Sequence, residues 1–87
     1  MGKAEKLRDR LFSRPSDFTW DELTTLLTSH YDFTLLNGGG SRRKFVHIKT
    51  KMIISLHQPH PGNIIKMYAI KQVIQQLEEL KQLEAIK

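Results

Sequence analysis

Near the middle of the chain stands Asn37-Gly38-Gly39-Gly40, and no regular element can run through it. Glycine loses more backbone freedom in a helix or strand than any other residue and brings no side chain to bury. The run therefore divides the chain. Upstream of it apolar residues recur at helical spacing to about His30 and a short strand-like stretch leads into the run; downstream come two more strand-like stretches and a last helical one. Residues 3–13 carry Leu7, Leu11 and Phe12 with charges between them, which predicts a helix, and Arg-Pro-Ser-Asp at 14–17 breaks it. Thr19-Trp20-Asp21-Glu22 reads as a capping box, with Thr19 as cap and Glu22 three residues on to reach back to the cap's N–H. Phe18 and Leu23 stand where a hydrophobic staple would hold the entry. A helix follows from Trp20 to about His30 and buries Trp20, Leu23, Leu26 and Leu27.

After this, Phe33–Leu36 is a short strand and the glycine run a turn. Arg42–Ile48 and Met52–Leu56 are two further strands joined by Lys49-Thr50-Lys51, which makes an antiparallel meander. The segment from His57 to Asn63 is a proline-stiffened loop. Met67–Leu80 is the last helix, with Met67, Ile70, Val73, Ile74, Leu77 and Leu80 on one stripe. The order helix, helix, three strands, helix predicts an α+β domain with its helices on one sheet face. At 87 residues a single domain spanning 1–87 with one modest core is expected. Trp20, Leu27, Phe45, Ile54, Ile70 and Leu77 are its predicted members. There is no cysteine, which removes disulfides, thiolate metal sites and cysteine nucleophiles together. The charged N-terminus lacks the apolar centre of a signal peptide, and no apolar run approaches membrane-spanning length, so a cytoplasmic protein is expected.

The net charge of +5 is unevenly placed. No acidic residue stands between Asp32 and Glu78, while Arg42, Arg43, Lys44, Lys49, Lys51, Lys66 and Lys71 all fall there, with His47, His57 and His60. A one-signed segment in a small domain is the footprint of a phosphate-backbone binder, and it also suits a solvated face kept for solubility. In the first reading Gly39, Gly40 and Ser41 let backbone N–H groups approach a phosphate, and the basic residues supply cations.

Four stretches carry a resemblance. Gly40-Ser41-Arg42-Arg43-Lys44-Phe45 enters a strand. Ile53-Ile54-Ser55-Leu56 is an aliphatic strand that leads into Pro59-His60-Pro61-Gly62. Lys66-Met67-Tyr68-Ala69-Ile70-Lys71-Gln72 opens the closing helix. In order and spacing these resemble the HicA family of toxins over about residues 18–80, with residues 1–14 as an N-terminal helical addition and 81–87 as a helical tail. The resemblance implies a fold like that of double-stranded-RNA-binding domains. It also implies metal-independent cleavage of mRNA, with no cofactor, and neutralisation by a HicB-like antitoxin.

One departure bears on the chemistry. In that family the Gly-Ser loop is followed within a residue or two by the catalytic histidine, and here Arg42 and Arg43 stand there. Attack by a ribose 2′-hydroxyl needs a general base, and imidazole suits the task because its pKa lies near neutrality. Arginine stays protonated; it can stabilise charge on phosphorus but cannot take the proton. A chain that depends on position 42 for its base is therefore a weak ribonuclease or none. His60 matches the family's His-Pro-Gly element and is the best retained catalytic candidate, with a structural loop histidine as the other reading. His57 is expected to face away from the core, His47 to be partly packed, and His30 to end a helix. His47, His57 and His60 invite a zinc reading, but the prolines and the lack of a nearby carboxylate or cysteine argue against it, and no metal is expected.

From Glu78 the sequence continues helical to the end. Leu80, Leu83 and Ile86 are expected to be only partly covered. The run is either a fraying tail or an edge through which an antitoxin or a second copy docks.

Overall fold

The structure, a computed structural model, describes residues 2–59 and 62–85. Helices α1 (Lys3–Phe12) and α2 (Trp20–Ser29) come first, then strands β1 (Phe33–Asn37), β2 (Arg42–His47) and β3 (Ile53–His57), then helix α3 (Met67–Ala85). The strands pair antiparallel in the order β1-β2-β3. This is the α+β order that the periodicities predict.

The capping box at the start of α2 is complete. Glu22 N–H donates to the Thr19 hydroxyl at 3.1 Å, and Thr19 N–H donates to the Glu22 carboxylate at 3.0 Å. Phe18 and Leu23 are fully buried on either side of it, as a staple requires. The other oxygen of Glu22 accepts from the Arg10 guanidinium, which also donates to Asp17 at 3.0 Å and lies 5.1 Å over the Phe18 ring. One arginine of α1 thus ties that helix to the N-terminus of α2. Its hydrogen bond holds the Glu22 carboxyl below the usual carboxylate range against the opposing effect of partial burial.

Register decides which side of the sheet is core. Leu35 pairs with Phe45, Phe45 with Ile54, Phe33 with His47 and Arg43 with Leu56. Phe33, Phe45, His47, Ile54 and Leu56 are buried on one face, where α2 packs on β1 and α3 on β3. Trp20 reaches from α2 to within 5.5 Å of the Phe45 ring. On the other face Leu36, Lys44 and Ser55 stand side by side in solvent. Helix α3 also closes the outer edge of β3, because Gln72 donates to the Ser55 carbonyl at 3.1 Å and Gln76 to that of Ile53 at 3.0 Å.

Trp20, Leu27, Phe45, Ile54, Ile70 and Leu77 are all core. Three expectations need correction. Met67 is 37% exposed, because it is the first residue of α3 and the buried stripe starts two residues later at Ala69. Leu80 is only 1% exposed: α1 packs across α2 and α3 and brings Leu7 and Leu11 into the same cluster. His47 is fully rather than partly buried, edge-on to Phe33 at 5.1 Å between ring centres. Leu83 is 46% exposed, as expected; Ile86 lies outside the described residues.

Two tests follow from this packing. Leu77→Ala removes a side chain that is almost fully buried, and denaturant unfolding should record a loss of about 2–5 kcal/mol. A depressed Glu22 pKa contributes stability that is present above the ordinary carboxylate value, about 4.3, and is lost as pH falls through the lower folded value. Glu22→Gln should therefore be less stable than the parent at neutral pH, and melting curves of the two should converge on acidification below about pH 4.

Candidate functional site

The glycine run makes the turn from β1 to β2. Gly39 and Gly40 have φ of +88° and +56°, in the left-handed region that a side chain disfavours. The turn is closed by Gly38 N–H donating to the Arg42 carbonyl and Arg42 N–H donating to that of Gly39, each at 3.0 Å. A Cβ placed on Gly39 or Gly40 would meet nothing within 4 Å, so the turn stands open to solvent. Among the described residues the N–H groups of Gly39, Gly40 and Ser41 have no acceptor. Arg43 braces the turn from beneath: its guanidinium donates to the carbonyls of Gly40 at 2.8 Å and Arg42 at 2.7 Å.

The β2–β3 ladder then brings a histidine to this turn. Gln58 N–H donates to the Ser41 carbonyl at 2.8 Å, so Arg42 and His57 face each other as a non-hydrogen-bonded pair. In an antiparallel sheet the side chains of such pairs approach most closely. Both are exposed on the open face. The Ser41 hydroxyl lies 3.2 Å from Nδ1 of His57. A groove of about 430 Å³ runs past Ser41, His57, Lys66 and Tyr68, and a second of about 380 Å³ past Gly40, Ser41, Arg43 and Gln58. Lys66 and Tyr68 reach this place because the chain before α3 is pinned to the chain before α2. Trp20 N–H donates to the Asn63 carbonyl at 2.7 Å, and Ile65 N–H to that of Phe18 at 2.9 Å. A larger groove of about 800 Å³ lies between α1 and the C-terminal half of α3 and shares no residue with the turn.

The structure brings together Gly39, Gly40, Ser41, Arg42, Arg43 and Lys66. Lys44 continues the cationic line along the open face, and Lys71 is exposed on α3. Lys49 and Lys51 sit in the β2–β3 turn at the other end of β2, a strand's length of about 20 Å away. His60 lies outside the described residues. His47 is at the far end of β2 from His57 and on its opposite face; its Nδ1 accepts the Thr50 N–H at 3.1 Å. It serves the core, and it does not join His57 in a ligand set. Sequence reasoning placed His57 on the outer face but did not see its partner. Tyr68, 65% exposed along the groove, entered the sequence reading only as part of the Lys66–Gln72 stretch that opens the closing helix, with no role of its own.

A family model for the HicA toxin of bacterial toxin–antitoxin systems matches residues 20–79. The chain belongs to the HicA toxin family. No curated protein and no solved structure gives a significant match. The HicA match takes in α2, the whole sheet with its glycine turn, and α3 to Glu79; α1 precedes it. Membership makes the protein a toxin of a toxin–antitoxin system, a kind of protein that acts together with an antitoxin.

If the turn needs glycine for its backbone, Gly40→Ala should cost about 1–2 kcal/mol in denaturant unfolding. Ser41→Ala carries no such backbone requirement, and its unfolding curve should stay close to that of the parent.

Proposed function

We propose that this HicA family member is an RNA-cleaving toxin that grips the RNA backbone at the glycine turn and is neutralised by a HicB-like antitoxin. Cleavage needs no metal in this reading: a ribose 2′-hydroxyl attacks the adjacent phosphate. The observation that carries the proposal is the exposed corner where Arg42 stands beside an open glycine turn in a segment without acidic residues. Arg42 contacts a phosphate and offsets charge that develops on phosphorus, since a guanidinium matches phosphate geometry and keeps its charge. Gly39, Gly40 and Ser41 offer N–H groups to the same phosphate, while Lys44, Lys66 and Lys71 extend the path of the strand. Lys49 and Lys51 reach a more distant part of the backbone. Arg43 acts chiefly by holding the turn's shape. The antitoxin silences the toxin by covering this corner, and α3 beyond Leu80 offers an edge for that partner or for a second copy.

A second reading has its own support. With Arg42 where the family keeps its histidine, the chain is an RNA-binding module that has lost its catalyst. Single-turnover cleavage of a labelled RNA in the presence of chelator separates the two. Cleavage by the parent that survives in His60→Ala excludes His60 as the base, and salt-dependent binding without cleavage favours the second reading.

Binding itself is testable apart from cleavage. Counterion release makes affinity fall linearly in log–log form with salt, at close to one unit of slope per phosphate neutralised. Replacing Arg42 and Lys44 together by alanine should flatten that slope by about one to two units. An unchanged slope would remove this face from the contact.

A further inference from the structure

We infer that His57 is the general base of this toxin, supplied across the β2–β3 ladder to the place where position 42 carries an arginine. The inference rests on the reading of the protein as an RNA-cleaving toxin. It goes beyond that reading by naming the group that takes the proton.

Three features of the geometry converge on His57. Its strand partner is Arg42 itself, so its imidazole and the Arg42 guanidinium leave the same face of the sheet from adjacent positions. One phosphate can then meet the cation while its neighbouring ribose meets the base. Nδ1 of His57 lies 3.2 Å from the Ser41 hydroxyl, which fixes the ring. The ring is exposed in a groove with Lys66 and Tyr68, a further cation for the backbone and an aromatic face on which a base can stack. The other described strand histidine, His47, is buried with Nδ1 already accepting a backbone N–H.

The chemistry requires one tautomer. Nδ1–H of His57 donates to the Ser41 oxygen, which leaves the Nε2 lone pair free to face the RNA, and the Ser41 O–H turns to a phosphate oxygen. Nε2 takes the proton of the 2′-hydroxyl as the 2′-oxygen attacks phosphorus. The bond from phosphorus to the 5′-oxygen breaks, and that oxygen takes a proton from solvent water. His57 returns its proton to solvent. One strand ends in a 2′,3′-cyclic phosphate and the other in a 5′-hydroxyl, with nothing oxidised or reduced. Arg42 offsets the added negative charge on the phosphorane. Ser41 acts here as a positioning residue through His57.

The test uses the full chain, a short labelled RNA and the same strand carrying 2′-deoxyribose, all with chelator present. His57→Gln keeps a polar side chain of similar reach on an exposed strand position, so it should melt and bind RNA like the parent. Its single-turnover rate should fall by about 10²–10⁴-fold, and the rise of rate with pH that the parent shows should vanish. The deoxy strand should be bound and left whole. Ser41→Ala should slow cleavage and move the pH profile, and Ser41→Thr, which keeps the hydroxyl, should restore both. A parent that cleaves while His57→Gln cleaves equally well overturns the assignment and leaves the toxin reading standing. A parent that binds RNA but cleaves it at no pH overturns the cleavage reading, and this inference with it.

Discussion

The register of β2 is the constraint on which the rest of the molecule depends. Its alternation sends Phe45 and His47 into the core and Arg42 and Lys44 to the open face. A slip of one residue would reverse every one of these assignments. Two devices at the strand's ends prevent it. At one end the glycine turn holds two left-handed residues and is tied by the Gly38 and Arg42 hydrogen bonds. At the other, the buried His47 ring accepts from Thr50 and so shapes the turn into β3. Core and candidate site are two sides of one strand, and neither can be altered in register without the other.

The helices are fixed to that sheet by a small number of polar ties at their ends and by apolar surface along their lengths. Thr19, Glu22 and Arg10 join the start of α2 to α1, and the short pairing of Phe18–Trp20 with Asn63–Ile65 joins the start of α2 to the approach to α3. The Thr19, Glu22 and Arg10 ties are only part-buried, and an ion pair that water still reaches adds little stability. Their role is angular: they set where each helix begins. The burial of Leu7, Leu11, Leu26, Ile70, Leu77 and Leu80 supplies the driving force. Because Lys66 and Tyr68 open α3, the same tie that anchors the helix also delivers them to the glycine turn.

Much of this could be read in the sequence, for reasons that differ by element. The capping box was legible because four adjacent residues carry the whole interaction, and the meander because its alternation and turn residues are local. The six core residues followed from periodicity alone. Met67 and Leu80 went astray because exposure at the two ends of a helix depends on what lies across it: α1 covers Leu80, and nothing in the local pattern announces that. The Ser41 to His57 contact was illegible for a related cause. Its partners are sixteen positions apart, and only the pairing of β2 with β3, set by the Lys49–Lys51 turn, makes them neighbours. The family resemblance directed attention to position 42, whereas the ladder directs it to the residue opposite.

The paired glutamines of α3 have a consequence for how this sheet meets other chains. By occupying the outward carbonyls of Ile53 and Ser55, Gln72 and Gln76 use up the acceptors that an incoming strand would need along β3. Strand addition is left to the β1 side, the other border of the three-stranded sheet. Growth into a fibre requires two complementary borders on every molecule, one to receive and one to be received. A molecule with a single receptive border joins one neighbour and stops. Two side-chain amides thus disfavour edge-to-edge growth along one of the sheet's two borders.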